Sequence, residues 1–178
     1  MDGKTTDQAA PASIDPGPSF VRIPLRDRAG SLRDYALVDD ADAHLAEHRW
    51  FINSSGYAAR QEPTPRGGQR TVLMARVVMG LVHGDSREAD HISRDKLDNR
   101  RSNLRIATHA QNAQNRVRRG GLSKHRGVSF RKDRKSRPWV AYGTLNGKTK
   151  WLGFFDEEEQ AAAAAVAWRR EHLPFAID

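Results

Sequence analysis

The chain contains no cysteine. That excludes disulfide staples and every cysteine-ligated zinc site. It also has no long apolar run and no signal-peptide core. A membrane span and export are therefore not expected, and a cytoplasmic location is. Negative charge is in short supply, with 22 Asp and Glu against 30 Lys and Arg in 178 residues, a formal net charge of +8. Such a surplus favours a polyanionic partner, nucleic acid ahead of a membrane surface. The length fits one ordinary domain or two small ones, each marginally stable alone.

What is present divides along the chain. Residues 1–19 hold three Pro, two Gly and little apolar content, and read as a disordered leader. Residues 20–26 and 34–38 have strand character. Asp39 or Asp40 is placed to cap a helix over 41–49, with Leu45 on its apolar side. Phe51-Ile52 and residues 56–60 are strand signals, and 63–68 is a loop. Residues 71–81 are the most apolar stretch and read as a strand end running into a short helix. Residues 118–124, with Arg118, Arg119, Gly120 and Gly121, form a basic hinge. The expected organisation is a leader (1–19), a first domain (20–117), the hinge (118–124) and a second domain (125–178).

The segment between the apolar stretch and the hinge carries the chemistry. It places Asp90-His91, then Asn103 twelve residues on, then Asn112 nine further. An imidazole titrates near neutral pH and suits general-base work. A carboxylate and an amide oxygen are hard ligands for Mg²⁺ or Mn²⁺, and two protein ligands leave positions for water and phosphate oxygens. Neighbours in a strand point to opposite faces, so Asp90 and His91 can share a site only at a bent strand end or its edge. Thr108 is placed to cap a helix over 110–117 that presents Asn112. His83 and His109 read as surface histidines.

With Asp98-Asn99-Arg100-Arg101 and Asn103-Leu104-Arg105 between its landmarks, this arrangement resembles the HNH nuclease motif in its phage-type His-Asn-Asn form. The resemblance implies two strands and a helix around one metal, a ββα-metal fold. It makes His91 the general base, Asp90 and Asn112 the metal ligands, and Asn103 the residue that holds the loop and orients the base. One divalent cation per chain is implied, Mg²⁺ ahead of Mn²⁺. Zinc is not expected, because Asn112 stands where many relatives carry histidine. Ala75 replaces a histidine common before Arg76 in such proteins. Arg105 and Arg116 are candidate phosphate contacts near the site.

From 116 to 155 there are twelve Lys or Arg and one acid, Asp133, with Phe130, Trp139, Tyr142, Trp151, Phe154 and Phe155 interleaved. Val128-Ser129-Phe130-Arg131 and Trp139-Val140-Ala141-Tyr142 alternate, and Asn146-Gly147 is a hairpin signal. Residues 149–152 form the third strand. Asp156 and Glu159 have the spacing of a capping box ahead of an alanine-rich helix. Trp139 and Ala141 fall on the helix-facing side, Tyr142 and Thr144 on the other. Trp151 faces outward and Leu152 inward, while Lys150 falls on the inward register, where a charge does not fit unless it snorkels at an edge.

Residues 123–172 resemble the plant ethylene-response-factor type of DNA-binding domain. That implies a three-stranded antiparallel sheet in the major groove with a helix behind it. By the resemblance Arg126, Arg131, Tyr142, Thr144 and Trp151 contact DNA, while Arg134, Lys135 and Arg137 reach phosphates. The expected fold class is α+β, a ββα nuclease domain followed by a sheet packed on one helix. The two parts together resemble HNH homing endonucleases of phages and mobile elements, in a bacterial or phage-infected cell. The expected activity is metal-dependent nicking of double-stranded DNA by a monomer rather than a dimer. The alternative from another class is a non-catalytic DNA-binding transcriptional regulator that retains the HNH scaffold. An RNA-binding module rests on charge and aromatics alone.

Overall fold

A computed structural model describes residues 19–116 and 122–177. The expected leader up to residue 18 and hinge residues 118–121 lie outside the described residues.

Among the described residues, four small antiparallel sheets and three α-helices make up a mixed α/β fold. Strands β1 (Phe20–Arg26) and β2 (Leu32–Asp39) form the first hairpin, with Ile23 opposite Ala36. The segment Asp40–Glu47 is helical, but as a 3₁₀ rather than an α-helix, and Asp39 makes no cap. The Asp39 carboxylate instead accepts from the backbone N–H of Arg101 at 2.8 Å, and buried Asp42 takes the Arg101 guanidinium. Asp39, one of the two acids expected to cap this segment, thus holds a distant one, as does Asp42. Strands β3 (Phe51–Ile52), β4 (Ala58–Pro63) and β5 (Gln69–Leu73) form the second sheet. Helix α1 (Met74–Val78) follows β5 directly, as the apolar stretch predicted.

Ile23, Leu25, Ala36, Val38, Leu45, Trp50, Ala58, Met74, Ala75, Val78 and Leu104 share one core. Trp50 is wholly buried, and its indole N–H donates to the Leu45 carbonyl at 2.7 Å, so the ring is buried without an orphan donor. Leu104 joins this core from β7 (Leu104–Ala107), which pairs with β6 (Glu88–His91). The N-terminal sheets therefore form the floor beneath the Asp90-His91 hairpin. Leu37 makes a parallel bridge to Asp98, which fastens the loop between β6 and β7 to β2.

Helix α2 (His109–Gln114) follows β7. Thr108 caps it through a full capping box with Gln111, as its sequence position predicts, but the helix ends three residues earlier than expected. Strands β8 (Val128–Phe130), β9 (Trp139–Leu145) and β10 (Lys148–Phe155) form the third sheet, order β10-β9-β8. Helix α3 (Glu158–His172) packs on it.

The expected capping box at Asp156 is not formed. Glu157 is the N-cap residue and its side chain makes no cap bond. Glu158 bonds outside the helix, accepting from Ser123 Oγ at 2.8 Å and Lys124 N at 3.3 Å.

Val128, Ala141, Ala161, Ala162 and Ala165 form a separate small core. The alanine-rich face lets helix and sheet approach closely. At Gly143 an added Cβ would lie 2.2 Å from Trp168. A bulge between Trp151 and Gly153 rotates the strand, with Trp151 paired to Tyr142 and exposed at 61%, and Leu152 against the core. Lys150 lies opposite Gly143 and is exposed. Val140 departs from the expected pattern: it is buried although it alternates with the helix-facing residues.

Candidate active site

Strand β6 alternates Glu88 and Asp90 on one side with Ala89 and His91 on the other. Its end turns sharply. Ile92 N donates to the Asn103 carbonyl at 2.8 Å, and Arg94 N to the His91 carbonyl at 3.0 Å. Arg94 sits in the left-handed region at φ +70°, a conformation costing a non-glycine residue roughly 1 kcal/mol. Its guanidinium is fastened to Asn115, both backbone carbonyl and side-chain oxygen. At this bent end Asp90 and His91 line one cavity of about 460 Å³ together with Asn112. Tyr57, Arg94, Lys96, Asn115 and Arg116 complete its wall. Larger hollows along the N-terminal sheets contain none of the sequence-predicted site residues.

Asp90 is 5% exposed and fully engaged. Arg105 donates to its Oδ2 from Nε at 2.8 Å, and Asn115 Nδ2 lies 3.1 Å from Oδ1. The same Asn115 amide reaches the His91 carbonyl at 2.9 Å, so the end of α2 is stitched to the end of β6. Arg105 was expected at phosphate; its observed role is counter-ion to Asp90. It also donates to the Phe175 carbonyl and stacks on the Phe175 ring at 4.3 Å. Burying a carboxylate demands such a partner, and no surface-arginine reading anticipates it.

Asn112 donates through Nδ2 to Glu88 Oε2. That orientation leaves its Oδ1 as the free end of the amide, the hard donor a cation requires. Glu88 also takes His109 Nδ1 at 2.8 Å. The Asn112 bond first, and the His109 bond next, hold the Glu88 carboxyl below its ordinary range. Among the described residues, no three or more His, Cys, Asp or Glu side chains group to hold a metal. Asp90 and Asn112 are the oxygen-bearing side chains of the expected ligand pair, and both line the same cavity.

His91 is 5% exposed, and burial pushes its imidazole below the ordinary value despite nearby carboxylates. The ring is thus neutral at pH 7, the form able to accept a proton. Its Nε2 lies 3.3 Å from Asn99 Oδ1, and the Tyr57 ring sits 5.6 Å away, tilted by 43°. Burial and the Asp90 charge raise the Tyr57 phenol, which stays protonated.

Asn103 is buried, and its side chain makes its hydrogen bonds away from His91. Its Oδ1 accepts from Ser93 N at 2.9 Å and its Nδ2 donates to the Asp98 carbonyl at 2.8 Å, closing the loop at both ends. The loop-holding part of its expected role has direct bonds behind it. The contact with the base belongs to Asn99.

Residues 74–114 match the family model described as HNH endonuclease. This HNH segment holds Asp90, His91, Asn103 and Asn112. The chain is 30% identical over 118 residues to an uncharacterized HNH endonuclease of Acanthamoeba polyphaga mimivirus, covering 66% of this chain. It spans 59% of that relative's length. No solved structure matches the chain.

The remaining candidates lie on or near the third sheet. Trp151 and Tyr142 meet edge to face at 5.9 Å, and Thr144 bonds Thr149 across the strands at 3.3 Å. Arg131 is exposed and paired with Asp133 at 3.2 Å. Arg126 points elsewhere: its guanidinium donates to the Gln114 carbonyl at the end of α2. With Arg116, which borders the HNH cavity too, it lines a hollow between α2 and the third sheet.

Glu88, Asn115, Tyr57, Lys96 and Asn99 were not anticipated as site residues. Two of them had a signal. Glu88 is two residues from Asp90 and shares its strand face, and Asn115 is one turn beyond Asn112. Tyr57 and Lys96 had none, since Tyr57 lies in the distant turn between β3 and β4 and Lys96 meets its ring, Nζ 4.7 Å from the centroid, only in the fold.

Proposed function

We propose that this chain is a divalent-cation-dependent DNA endonuclease of the HNH homing type. In this reading it nicks one strand of duplex DNA as a monomer, with residues 20–117 as the nuclease unit in a ββα-metal arrangement. Residues 125–178 form an ethylene-response-factor-type reader. The carrying observation is the meeting of Asp90, His91 and Asn112 on one cavity, rimmed by the cations Arg94, Lys96 and Arg116.

Held by Asp90 and Asn112, Mg²⁺ (or Mn²⁺) would supply Lewis-acid stabilisation of charge on the scissile phosphate. The chain's own residues supply the rest. His91, neutral at the working pH, takes the proton of the attacking water, leaving 5′-phosphate and 3′-hydroxyl ends. Arg94, Lys96 and Arg116 attract the phosphate backbone and orient it. Trp151, Tyr142, Thr144 and Arg131 lie on the outer side of the third sheet or at its end, where a β-ribbon can enter the major groove. Arg126 ties that sheet to α2.

A second reading has its own observation. Asp90 is satisfied by Arg105 and Asn115 alone, which a non-catalytic DNA-binding regulator on this scaffold would also display. Supercoiled plasmid incubated with Mg²⁺ or with EDTA separates the two. The endonuclease converts it to nicked circles with Mg²⁺ only, and His91→Ala abolishes this while DNA binding persists. Binding without any cation-dependent nick in the wild type assigns the regulator.

A further inference from the structure

We propose that Asn99 is the positioning residue that keeps His91 in the tautomer and orientation its work demands. What that base then does rests on the endonuclease reading above. Asn99 is 1% exposed and ranks among the largest fully buried side chains of the fold, where an amide is expensive unless every polar atom is used. Its Nδ2 donates to the Leu97 carbonyl at 3.0 Å, and its Oδ1 faces His91 Nε2 at 3.3 Å. The opposite amide orientation would set oxygen against the Leu97 carbonyl, so the flip is decided locally. An amide oxygen only accepts. The facing Nε2 must therefore carry the hydrogen, which leaves the lone pair of the neutral ring on Nδ1.

The orienting group is itself held from outside the HNH segment. Leu37 of β2 brackets it: Leu37 N donates to the Leu97 carbonyl and Asn99 N donates to the Leu37 carbonyl, each at 2.8 Å. Asp98 and Arg100 on either side close a paired turn, with Arg100 Nε 2.8 Å from Asp98 Oδ1. The N-terminal hairpin is thus part of the machinery that fixes the imidazole, because it sets where Asn99 lies.

The test combines imidazole NMR with kinetics on the full chain. Long-range proton–nitrogen spectra of the metal-free wild type should show His91 as the Nε2–H tautomer. Asn99→Leu removes the acceptor at similar volume and should bring in the Nδ1–H form. In plasmid nicking it should lower kcat by roughly 10- to 100-fold, the usual cost of losing a group that orients a site residue, with KM within about twofold. Asn99→Asp loses the donor to the Leu97 carbonyl and should lower Tm, but it keeps the acceptor toward Nε2 and should keep the tautomer and most of kcat. If Asn99→Leu melts below the assay temperature, Asn99→Ala carries the same comparison. An unchanged tautomer in a folded Asn99→Leu or Asn99→Ala chain overturns the proposal. So does an equal kcat loss in the Asp variant with its tautomer intact, since that pattern belongs to a merely structural residue. The spectra need neither DNA nor metal. A wild type that never nicks, paired with a shifted tautomer in the variant, overturns the endonuclease reading and supports the role of Asn99.

Discussion

Replacing Arg105 with Ala strands a charge in the interior. Asp90 is 5% exposed, and the Arg105 side chain, itself 20% exposed, donates Nε to its Oδ2 at 2.8 Å, with Nη2 also 2.8 Å from that oxygen as an ion pair. Removing one partner of a buried pair costs about 3–5 kcal/mol. Asn115 keeps one neutral bond to Asp90 and the cavity admits water, which lowers the figure to about 2–3 kcal/mol. Losing the stack on Phe175 adds about 0.5–1 kcal/mol. A total near 3 kcal/mol corresponds to a fall in Tm of roughly 6–12 °C for a chain of this size. Divalent cation should return part of it. At tenfold excess over its Kd a ligand of the folded state adds about 1.4 kcal/mol. The increment should be larger in Arg105→Ala than in the wild type, because Asp90 has lost the cation that competes for its oxygens. Circular-dichroism melts in EDTA and in rising Mg²⁺ check both parts. A variant melting within about 2 °C of the wild type refutes the energetic argument. Equal Mg²⁺ increments in the two chains refute the placement of the cation on Asp90.

Three further outcomes are expected. Gly143→Ala drives a methyl into Trp168, and overpacking of this kind costs about 1–3 kcal/mol; urea unfolding followed by Trp fluorescence should show the loss, with weaker DNA binding. Trp151→Ala should lower duplex affinity by roughly tenfold in gel shifts, about 1.4 kcal/mol, while Tm changes by only a few degrees, because the ring is 61% exposed. The Arg100 bond, above all, holds the Asp98 carboxyl below its ordinary 3.8. A depressed folded-state value means that this contribution is whole above pH 3.8 and drains away as pH falls through the lower folded value. Urea midpoints measured down from pH 5 should therefore fall more steeply in the wild type than in Arg100→Gln, and parallel curves would contradict the pairing.

Much of the site was legible because its signals are local. The Asp90-His91 pair, Thr108 with its capping partner and the Asn146-Gly147 turn each depend on a few neighbouring residues, and each lies where its spacing implies. The readings that moved were those in which a side chain had two possible partners. Asp39 was a cap by position but met the Arg101 backbone, and Asp156 had the spacing of a capping box with Glu159 but the helix starts from Glu157 without one. Arg126 was a DNA-contact candidate by resemblance, yet its guanidinium donates to the carbonyl at the end of α2.

By itself the sequence determined the chemistry on offer: no thiolate, one acid-imidazole pair, two spaced amides, and a basic aromatic sheet behind a helix of alanines. Spacing along one segment suffices for that, since strand and helix periods fix which neighbours share a face. Only the tertiary structure decided who holds whom. It brought Leu37 of the first hairpin to the loop that carries Asn99, Tyr57 of the turn between β3 and β4 to the imidazole, and Arg105 to Asp90. Buried polar groups take whichever complementary partner the packed core brings within about 3 Å, and that partner has no fixed distance along the chain.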